Sequence, residues 1–199
     1  PGNAKSALDI GTGTGLLALM LAQKTDIPIT AIELNASAYQ QAEMNFARSP
    51  WAKRLKVVQG DVLEFRPEKG LDLIICNPPF FQHKMKGSSS SKNQAMFQES
   101  LSLEHLAEKI DVLLNENGTF WVMLPPHEME SFSDLPEIKE LHLSHQIAIH
   151  NQATNPLFRV IKAFKRKATN VQHQVLNIRD GVEYTTDFKD LLNPYYLHL

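Results

Sequence analysis

Four consecutive residues, Asn77-Pro78-Pro79-Phe80, have the side chains and the rigidity to hold a planar amino compound. They follow the apolar run Leu71 to Cys76, which is typical of a buried strand. Two prolines in succession remove two backbone donors and fix φ, so neither a strand nor a helix continues through them. The oxygen of Asn77 and the carbonyl of Pro78 can accept both hydrogens of an exocyclic NH₂ group, while Phe80 stacks on its ring. The alternative is an ordinary turn that ends a strand, since Asn-Pro is common in turns.

Near the start of the sequence, a glycine-rich loop joins a predicted strand to a predicted helix. Lys5 to Ile10 reads as the strand, Gly11, Gly13 and Gly15 follow it, and apolar residues then recur at helical spacing. Glycines allow a backbone to approach a ligand closely, and the free N–H groups of a helix N-terminus face that ligand. The pattern therefore predicts a nucleotide site. A nicotinamide dinucleotide is the weakest option, because its loop has the spacing Gly-x-Gly-x-x-Gly and position 16 is leucine.

Two acids stand at the ends of the next two predicted strands. Ile29 to Glu33 ends in an acid about 20 residues after the glycine loop, where a ribose-binding carboxylate is expected. Lys56 to Val62 is the third predicted strand, with Asp61 at its carboxyl end. Ligands bind along the carboxyl edge of open α/β sheets. Glu33, Asp61 and Asn77 should therefore line a single site.

The rest of the sequence supplies the elements that must position these strand ends. Strands that alternate with helices predict one α/β domain over residues 1–199. Asn117-Gly118 predicts a turn, and the two prolines after residue 124 predict a strand end. The carboxyl-terminal tail is less regular, with short strands and one helix near Thr186. The other predicted elements are helices Ser37 to Arg48 and Leu101 to Leu114, strands Thr119 to Leu124, Leu141 to His150 and Leu157 to Lys167, and the connection Leu135 to Lys139.

Composition limits the function classes. The 199 residues are 43% hydrophobic and 21% charged, which is ordinary for a globular domain with a proper core. A net charge of −2 excludes a generally basic nucleic-acid binder, so any contact with RNA or DNA requires a local patch. No apolar run approaches the roughly 18 residues of a membrane span, and no signal-peptide pattern is present.

Cysteine and histidine usage point to a reducing compartment and to no metal. The single cysteine, Cys76, excludes an intrachain disulfide framework, and we expect a cytoplasmic location. His142, His145 and His150 alternate with apolar residues in a predicted strand without a supporting cysteine or carboxylate, so we expect strand-surface histidines rather than metal ligands. Because the sequence opens on Pro1 rather than Met, we also expect a preceding segment in the full protein.

The glycine loop, with Asp9 before it, resembles the first motif of the S-adenosylmethionine-dependent methyltransferases. The resemblance implies S-adenosyl-L-methionine as the cofactor and a Rossmann-like class I methyltransferase fold. That fold is a seven-stranded, mostly parallel sheet with an antiparallel last strand and helices on both faces. The loop would cover the amino acid and ribose of the cofactor. Asp61 would accept from the adenine amino group, the backbone of Val62 would read the ring, and Asn77 would also contact the cofactor.

Nearly the whole chain resembles the bacterial tRNA1(Val) adenine-37 N6-methyltransferases, which carry the Asn-Pro-Pro-Phe motif. Residues 101–106, 155–160 and 183–197 carry this narrower resemblance. It implies N6-methylation of an adenine in tRNA. One departure is Ala95-Met96-Phe97, where the family usually has Ala-Arg-His, so that two polar groups beside the substrate are lost. The family's cofactor-covering segment before the first strand is expected to precede these residues.

The predicted chemistry needs no strong general base. Accepting both N–H hydrogens at Asn77 and Pro78 would favour an sp³-like nitrogen and stabilise its developing positive charge. Phe80 would hold a base flipped out of its stack. The rival substrates are another RNA or DNA base and a protein glutamine amide, and a non-catalytic RNA-binding protein that kept the fold is the alternative outside enzymes.

Basic residues could hold the RNA backbone, because phosphate contacts provide affinity rather than sequence choice. For Lys165 to Lys167, at the end of the last strand and after it, the competing interpretation is a solvated strand edge. We expect a monomer. The candidate cations are Lys84, Lys86 and Lys92 on the polar loop after the motif, and Arg159, Lys162, Lys165, Arg166 and Lys167 on and after the last strand.

Overall fold

The computed structural model of the protein describes residues 4–78 and 101–196. Nine strands in this part of the chain form one sheet. The strands are β1 (Ala7–Ile10), β2 (Ile29–Glu33), β3 (Leu55–Gln59), β4 (Leu71–Cys76), β5 (Leu114–Leu124), β6 (His142–Gln152), β7 (Leu157–Lys165), β8 (Gln172–Asp180) and β9 (Glu183–Tyr184). The helices are α1 (Leu16–Lys24), α2 (Ala36–Arg48), α3 (Leu103–Leu113), α4 (Pro126–Ser133), α5 (Pro136–Lys139) and α6 (Thr186–Leu192), with 3-10 turns at Ala52–Arg54 and Val62–Glu64.

The strand order is β3-β2-β1-β4-β5-β7-β6-β8-β9. Strands β1 to β5 pair in parallel, and β7 lies antiparallel between β5 and β6. The chain proceeds outward from β1 through β2 and β3, then crosses back to β4. The crevice between β1 and β4 is therefore the switch point at which open α/β sheets bind ligands. The predicted mostly parallel sheet with an antiparallel strand is confirmed.

The sheet has nine strands in the described residues instead of the predicted seven. β8 pairs in parallel with β6, from His145↔Gln172 to Gln152↔Arg179, and β9 pairs with β8. The first four residues of β8 are exposed glutamines, a histidine and a valine, so the strand lacks the alternation of apolar and polar residues that marks a half-buried strand. Pairing with the free edge of β6 makes it a strand all the same.

Two apolar clusters cover the two faces of the sheet. Alternation along β1 sends Leu8 to one face and Ala7 to the other. On the first face the strands pack against α3, α4 and α5, through residues such as Phe132. On the second face they pack against α1 and α2, with Ala18 and Phe46 fully or nearly buried. Helices on both faces are thus confirmed.

One local prediction was wrong, and two were incomplete. The turn predicted at Asn117-Gly118 lies inside β5, where the pairing with β4 shifts register between Leu71 and Leu73. A Cβ on Gly118 would lie 2.8 Å from the carbonyl oxygen of Leu71, so glycine here serves close strand contact rather than a turn. The strand end predicted at the two prolines is confirmed, since β5 ends at Leu124, and Pro126 also begins α4 at a position that tolerates a missing N–H. The connection predicted up to Lys139 contains the short helix α5.

Candidate active site at the carboxyl edge of the sheet

The glycine loop leaves β1 beside the end of β4. Ile10 pairs with Cys76, so Gly11 and Asn77 leave adjacent strands at the same level, about 5 Å apart across the sheet. Gly15 has φ +89°, and a Cβ there would lie 2.5 Å from the Phe46 ring on α2. Glycine is therefore required at this position both by its backbone conformation and by the close approach of α2.

Glu33 is held in place by the backbone around it. It is 4% exposed, at the end of β2. Its Oε2 accepts from the N–H of Gly13 at 2.8 Å, and its Oε1 accepts from the N–H of Asn35 at 2.9 Å. A carboxylate oxygen can accept more than one hydrogen bond, so both keep capacity for ribose hydroxyls. The acid and the glycine loop thus form one preorganised unit.

Asp9 differs from Glu33 because one of its oxygens lacks a partner. It is 1% exposed, and Oδ2 accepts from the Thr12 hydroxyl at 2.6 Å, whereas Oδ1 makes no hydrogen bond within the described residues. Burial raises the pKa of Asp9 from 3.8 to about 7, and the charge of Glu33 adds to the rise, against the lowering effects of Thr12 and of the nearby Ala18 N–H. A buried carboxylate in this condition is suited to a cationic group.

Asp61 and Val62 form the third part of the candidate site. Asp61 caps the 3-10 turn Val62–Glu64, since its Oδ1 accepts from the N–H of Leu63 at 2.9 Å. Val62 is buried, and both residues line a shallow cleft at the ends of the first three strands. The cleft also includes Leu34, directly after Glu33, and Leu101, which precedes α3. The sequence reasoning missed these two leucines as site residues, and for Leu34 the available signal was its position directly after the acid that ends β2.

Lys109 is a third residue that the sequence reasoning missed. It lies on α3, is 5% exposed, and its Nζ donates to the carbonyl oxygens of Leu63 at 3.1 Å and Phe65 at 2.6 Å. Burial lowers the pKa of its ammonium. Lys109 thereby fastens the 3-10 turn that follows Asp61. A lysine on the otherwise apolar face of α3, beside Leu106 and Ile110, was the signal that could have revealed it.

Asn77 is exposed immediately after β4, and Pro78 follows it half-buried. Asn77 stands at the rim of a largely apolar pocket of about 500 Å³, whose lining includes Met20, Trp121 and Ile161. The structure therefore brings Asn77 to the same edge as Asp9, Glu33 and Asp61. Phe80 lies outside the described residues.

The buried thiol of Cys76, one residue before Asn77, is not suited to act as a nucleophile. Burial raises the pKa of this free thiol, and the nearby Asp9 carboxylate raises it further. A thiol reacts as its thiolate, which this environment disfavours.

The candidate cations do not lie together. Arg159 is at the carboxyl edge, near the start of the antiparallel β7, whereas Lys165 pairs with Thr119 at the opposite edge. Arg166 donates to Asp111 Oδ1 at 2.9 Å and to the Leu114 carbonyl at 3.3 Å. Further contacts engage Lys167 with Asn117 Oδ1 at 2.7 Å and Lys162 with Ser133 Oγ at 2.9 Å, and burial lowers the pKa of Lys162. The remaining candidates, Lys84, Lys86 and Lys92, lie outside the described residues, as do Met96 and Phe97.

Neither a metal cluster nor a membrane-spanning helix is found in residues 4–78 and 101–196. In these ranges no three His, Cys, Asp or Glu side chains are grouped as metal ligands would be. Nor do the helices there have the length and apolar character to cross a bilayer. The Nδ1 atoms of His145 and His150 lie within hydrogen-bond distance of Ser144 Oγ, at 3.1 Å, and of the Asn155 carbonyl, at 2.9 Å.

Comparison with known proteins supports a methyltransferase site. The model of the methyltransferase small domain family matches residues 2–130. A tRNA1(Val) (adenine(37)-N6)-methyltransferase of Flavobacterium psychrophilum is 38% identical over 99% of this chain and 86% of its own length. A protein of the same name from Pectobacterium carotovorum is 37% identical over 96% of this chain and 79% of its own length.

Solved structures share the fold. A predicted O-methyltransferase from Agrobacterium tumefaciens superposes with a TM-score of 0.69 at 14% identity, over 94% of this chain and 88% of its own. The glycopeptide N-methyltransferase MtfA, in complex with S-adenosylmethionine, superposes with a TM-score of 0.60 at 14% identity, over 84% of this chain and 89% of its own. The predicted Rossmann-like class I methyltransferase fold is confirmed.

Proposed function

We propose that this chain, which belongs to the methyltransferase small domain family and within it to the tRNA1(Val) (adenine(37)-N6)-methyltransferases, methylates N6 of an adenine in tRNA. The proposed target is adenine 37 of tRNA1(Val). S-adenosyl-L-methionine is the methyl donor. The observation that carries the proposal is the position of Asn77-Pro78 at the end of β4, one strand from the glycine loop. The enzyme acts on tRNA as a monomer in the cytoplasm.

The residues at the carboxyl edge fit this donor. S-adenosylmethionine carries a cationic amino group, a ribose and an adenine, and when bound it supplies a methyl group made electrophilic by a positively charged sulfonium. The buried Oδ1 of Asp9, which has no hydrogen-bond partner in the part of the chain that the structure describes, favours binding of this cationic group. Glu33, already oriented by Gly13 and Asn35, accepts from the ribose hydroxyls. Asp61 accepts from the adenine amino group, and the backbone of Val62 contacts the ring.

Asn77 and Pro78 orient the substrate nitrogen. An adenine N6 lone pair is delocalised into the ring, which makes it a poor nucleophile. The Asn77 Oδ1 and the Pro78 carbonyl accept its two hydrogens, so that the lone pair is freed and the developing positive charge is stabilised by two oxygen dipoles. The prolines fix the backbone φ beside these acceptors, so little reorganisation is needed. Phe80 stacks on the flipped base.

The RNA contacts follow from which cations remain available at the active edge. Arg159 forms no ion pair within residues 4–78 and 101–196, and it lies at the same edge as Asn77. Lys84, Lys86 and Lys92, on the segment after the motif, are the other proposed phosphate contacts. Lys162, Arg166 and Lys167 are tied to neighbouring side chains, and Arg166 with Lys167 lies at the far edge. We therefore do not propose Lys162, Arg166 and Lys167 as main RNA contacts.

The proposal is tested with methyl-labelled S-adenosylmethionine and four acceptors: unfractionated tRNA, ribosomal RNA, DNA and release-factor protein. We expect label in tRNA, recovered after digestion as N6-methyladenine at position 37. Label in a glutamine amide or in DNA would contradict it.

Replacing Asn77 tests the role of its side chain. Asn77→Ala should lower turnover by about 100-fold or more, the usual effect of removing one preorganised dipole from a reacting centre. Cofactor affinity by calorimetry should remain close to the native value. Asn117→Ala is the matched control, an exposed asparagine at the opposite edge that should leave turnover unchanged. Near-native methylation by Asn77→Ala would refute the role.

A further inference from the structure

We propose that Phe158 and Arg159 form a stacking platform for the nucleotide next to the methylated adenine, an inference that rests on the proposed function. Phe158 is 47% exposed, although it is a large aromatic residue at the start of β7. The guanidinium carbon of Arg159 lies 4.2 Å from the centroid of its ring, and Nη1 donates to the Phe158 carbonyl at 2.8 Å. Ring and guanidinium are therefore in contact before any ligand arrives.

The strand register places this pair beside the site and not in it. Val122 on β5 pairs with Cys76 on one side and Lys162 on the other, so Asn77 is level with Ile161. Arg159 lies two residues from Ile161, toward the carboxyl edge of the sheet, and its strand β7 is two strands away from β4. This separation is roughly 10 Å across the sheet and 7 Å beyond its edge, or about 12 Å in all. A base held at Asn77 does not reach that far, whereas its neighbour in a single strand does.

Arg159 lies on the same side of the sheet as the pocket, and Phe158, at the register shift where Ile149 pairs with Arg159 and His150 with Leu157, is placed by its contact with Arg159. Ile161 and Asn77 line the same pocket. Side chains alternate along a strand, so Arg159, two residues from Ile161, shares its face. An RNA that enters with its target adenine at Asn77 would thus pass the guanidinium on the same face.

The turn that presents Phe158 is fixed from behind. His150 Nδ1 contacts the Asn155 carbonyl at 2.9 Å, and the N–H of Asn155 donates to the Gln152 carbonyl at 2.9 Å. Gln152 Nε2 in turn donates to the Gly181 carbonyl at 2.7 Å, which ties the turn to the outer strands. A platform held in this way loses little entropy when a base stacks on it.

Single-stranded RNA is the occupant that matches this chemistry. Aromatic rings stack on any base, and arginine adds cation–π attraction and phosphate contact. The platform would thus bind the flanking nucleotide whatever its identity. Recognition of unpaired nucleotides by stacking is also the common mode for RNA loops.

The test is a coupling experiment between the ring and the flanking base. Native enzyme and Phe158→Leu are assayed with a stem–loop carrying the target adenine, and with the same RNA made abasic immediately 5′ or 3′ of it. Phe158→Leu should weaken binding of the intact RNA by about 5- to 100-fold, the range that one base–aromatic stack provides. One abasic substitution should weaken native enzyme equally, and it should have no further effect on Phe158→Leu. Phe158→Trp, which keeps an aromatic ring, should bind the intact RNA about as tightly as the native enzyme does.

Controls separate this proposal from folding and from the proposed function. Cofactor affinity should be native in Phe158→Leu. Arg179 and Tyr184 form a second pair with the same 4.2 Å spacing two strands further out, so Tyr184→Leu should show no coupling to either flanking base. Native enzyme that methylates the stem–loop without any coupling at Phe158 would overturn the platform alone. Phe158→Leu that instead alters the sedimentation of the free protein would also overturn it, in favour of a protein interface.

Discussion

Replacing Asp9 with asparagine should stabilise the unliganded protein at neutral and alkaline pH while weakening its cofactor site. Burial raises the pKa of Asp9 from 3.8 to about 7. Since each pKa unit corresponds to about 1.4 kcal/mol, an ionised Asp9 costs about 4 kcal/mol of folding free energy above pH 7. The asparagine side chain of the Asp9→Asn variant would carry no charge, although its amide would still lack one hydrogen-bond partner at a cost of about 1–3 kcal/mol.

The sign of the pH dependence follows from the raised pKa. Between pH 3.8 and about 7 the folded protein holds a proton on Asp9 that the unfolded chain has lost. The penalty of the native residue therefore grows as pH rises through this window and is constant above it. The difference in unfolding free energy between Asp9→Asn and the native protein should grow by about 2 kcal/mol from about pH 5.5 to about pH 8.

The measurement is urea unfolding of both proteins at these two pH values. Taking the difference between variants cancels other titrating groups. Asp72→Asn is the matched control, because hydrogen bonds from Asn115 and Lys5 lower the pKa of Asp72, so its contribution changes only below about pH 4. Its difference from the native protein should stay flat over the same range. A gap for Asp9→Asn that is also flat, or that narrows with rising pH, would refute an ionised, destabilising Asp9.

Two further predictions concern the cofactor site. Glu33→Gln should raise the dissociation constant for S-adenosylmethionine by about 10- to 100-fold, because hydrogen bonds to a charged group contribute about 1.5–3 kcal/mol. Titration calorimetry measures this, and native affinity would remove Glu33 from the ribose site. Lys109→Met should raise the KM for the cofactor by about 3- to 30-fold, since the carbonyls of Leu63 and Phe65 lose hydrogen bonds of about 1 kcal/mol each. We expect kcat to stay near native, and a fall in kcat with unchanged KM would contradict a role confined to the turn after Asp61.

The strand ends of the site could be predicted from the sequence because each strand ends in a chemically distinctive residue. Asp9, Glu33, Asp61 and Asn77 each follow or end a short apolar run, and parallel strands bring such ends to one edge. Their placement required only the strand order. The hydrogen bonds that orient them, such as Gly13 to Glu33, depend on loop conformations that no residue pattern encodes.

The basic residues of β7 were harder to interpret because charge along one strand does not reveal which end meets the ligand. Arg159 and Arg166 are separated by seven positions, roughly 23 Å along an extended strand. They therefore belong to opposite edges of the sheet. Arg166 closes the junction between α3 and β5 through Asp111. Lys109 was missed for a different reason. A lysine within a helix is usually expected to be solvent-exposed, whereas this one is buried.

In the proposed cofactor site, the two buried acids would contribute in different ways to the same ligand. Glu33 accepts from two backbone N–H groups, so it provides a fixed acceptor pair. Asp9 keeps one oxygen without a partner in the described residues, so its charge is costly until a cation arrives. Binding of a cation at Asp9 should therefore release a proton near neutral pH and stabilise the fold in proportion to its affinity. We therefore expect Asp9 to make cofactor binding pH-dependent and Glu33 to make it geometrically specific.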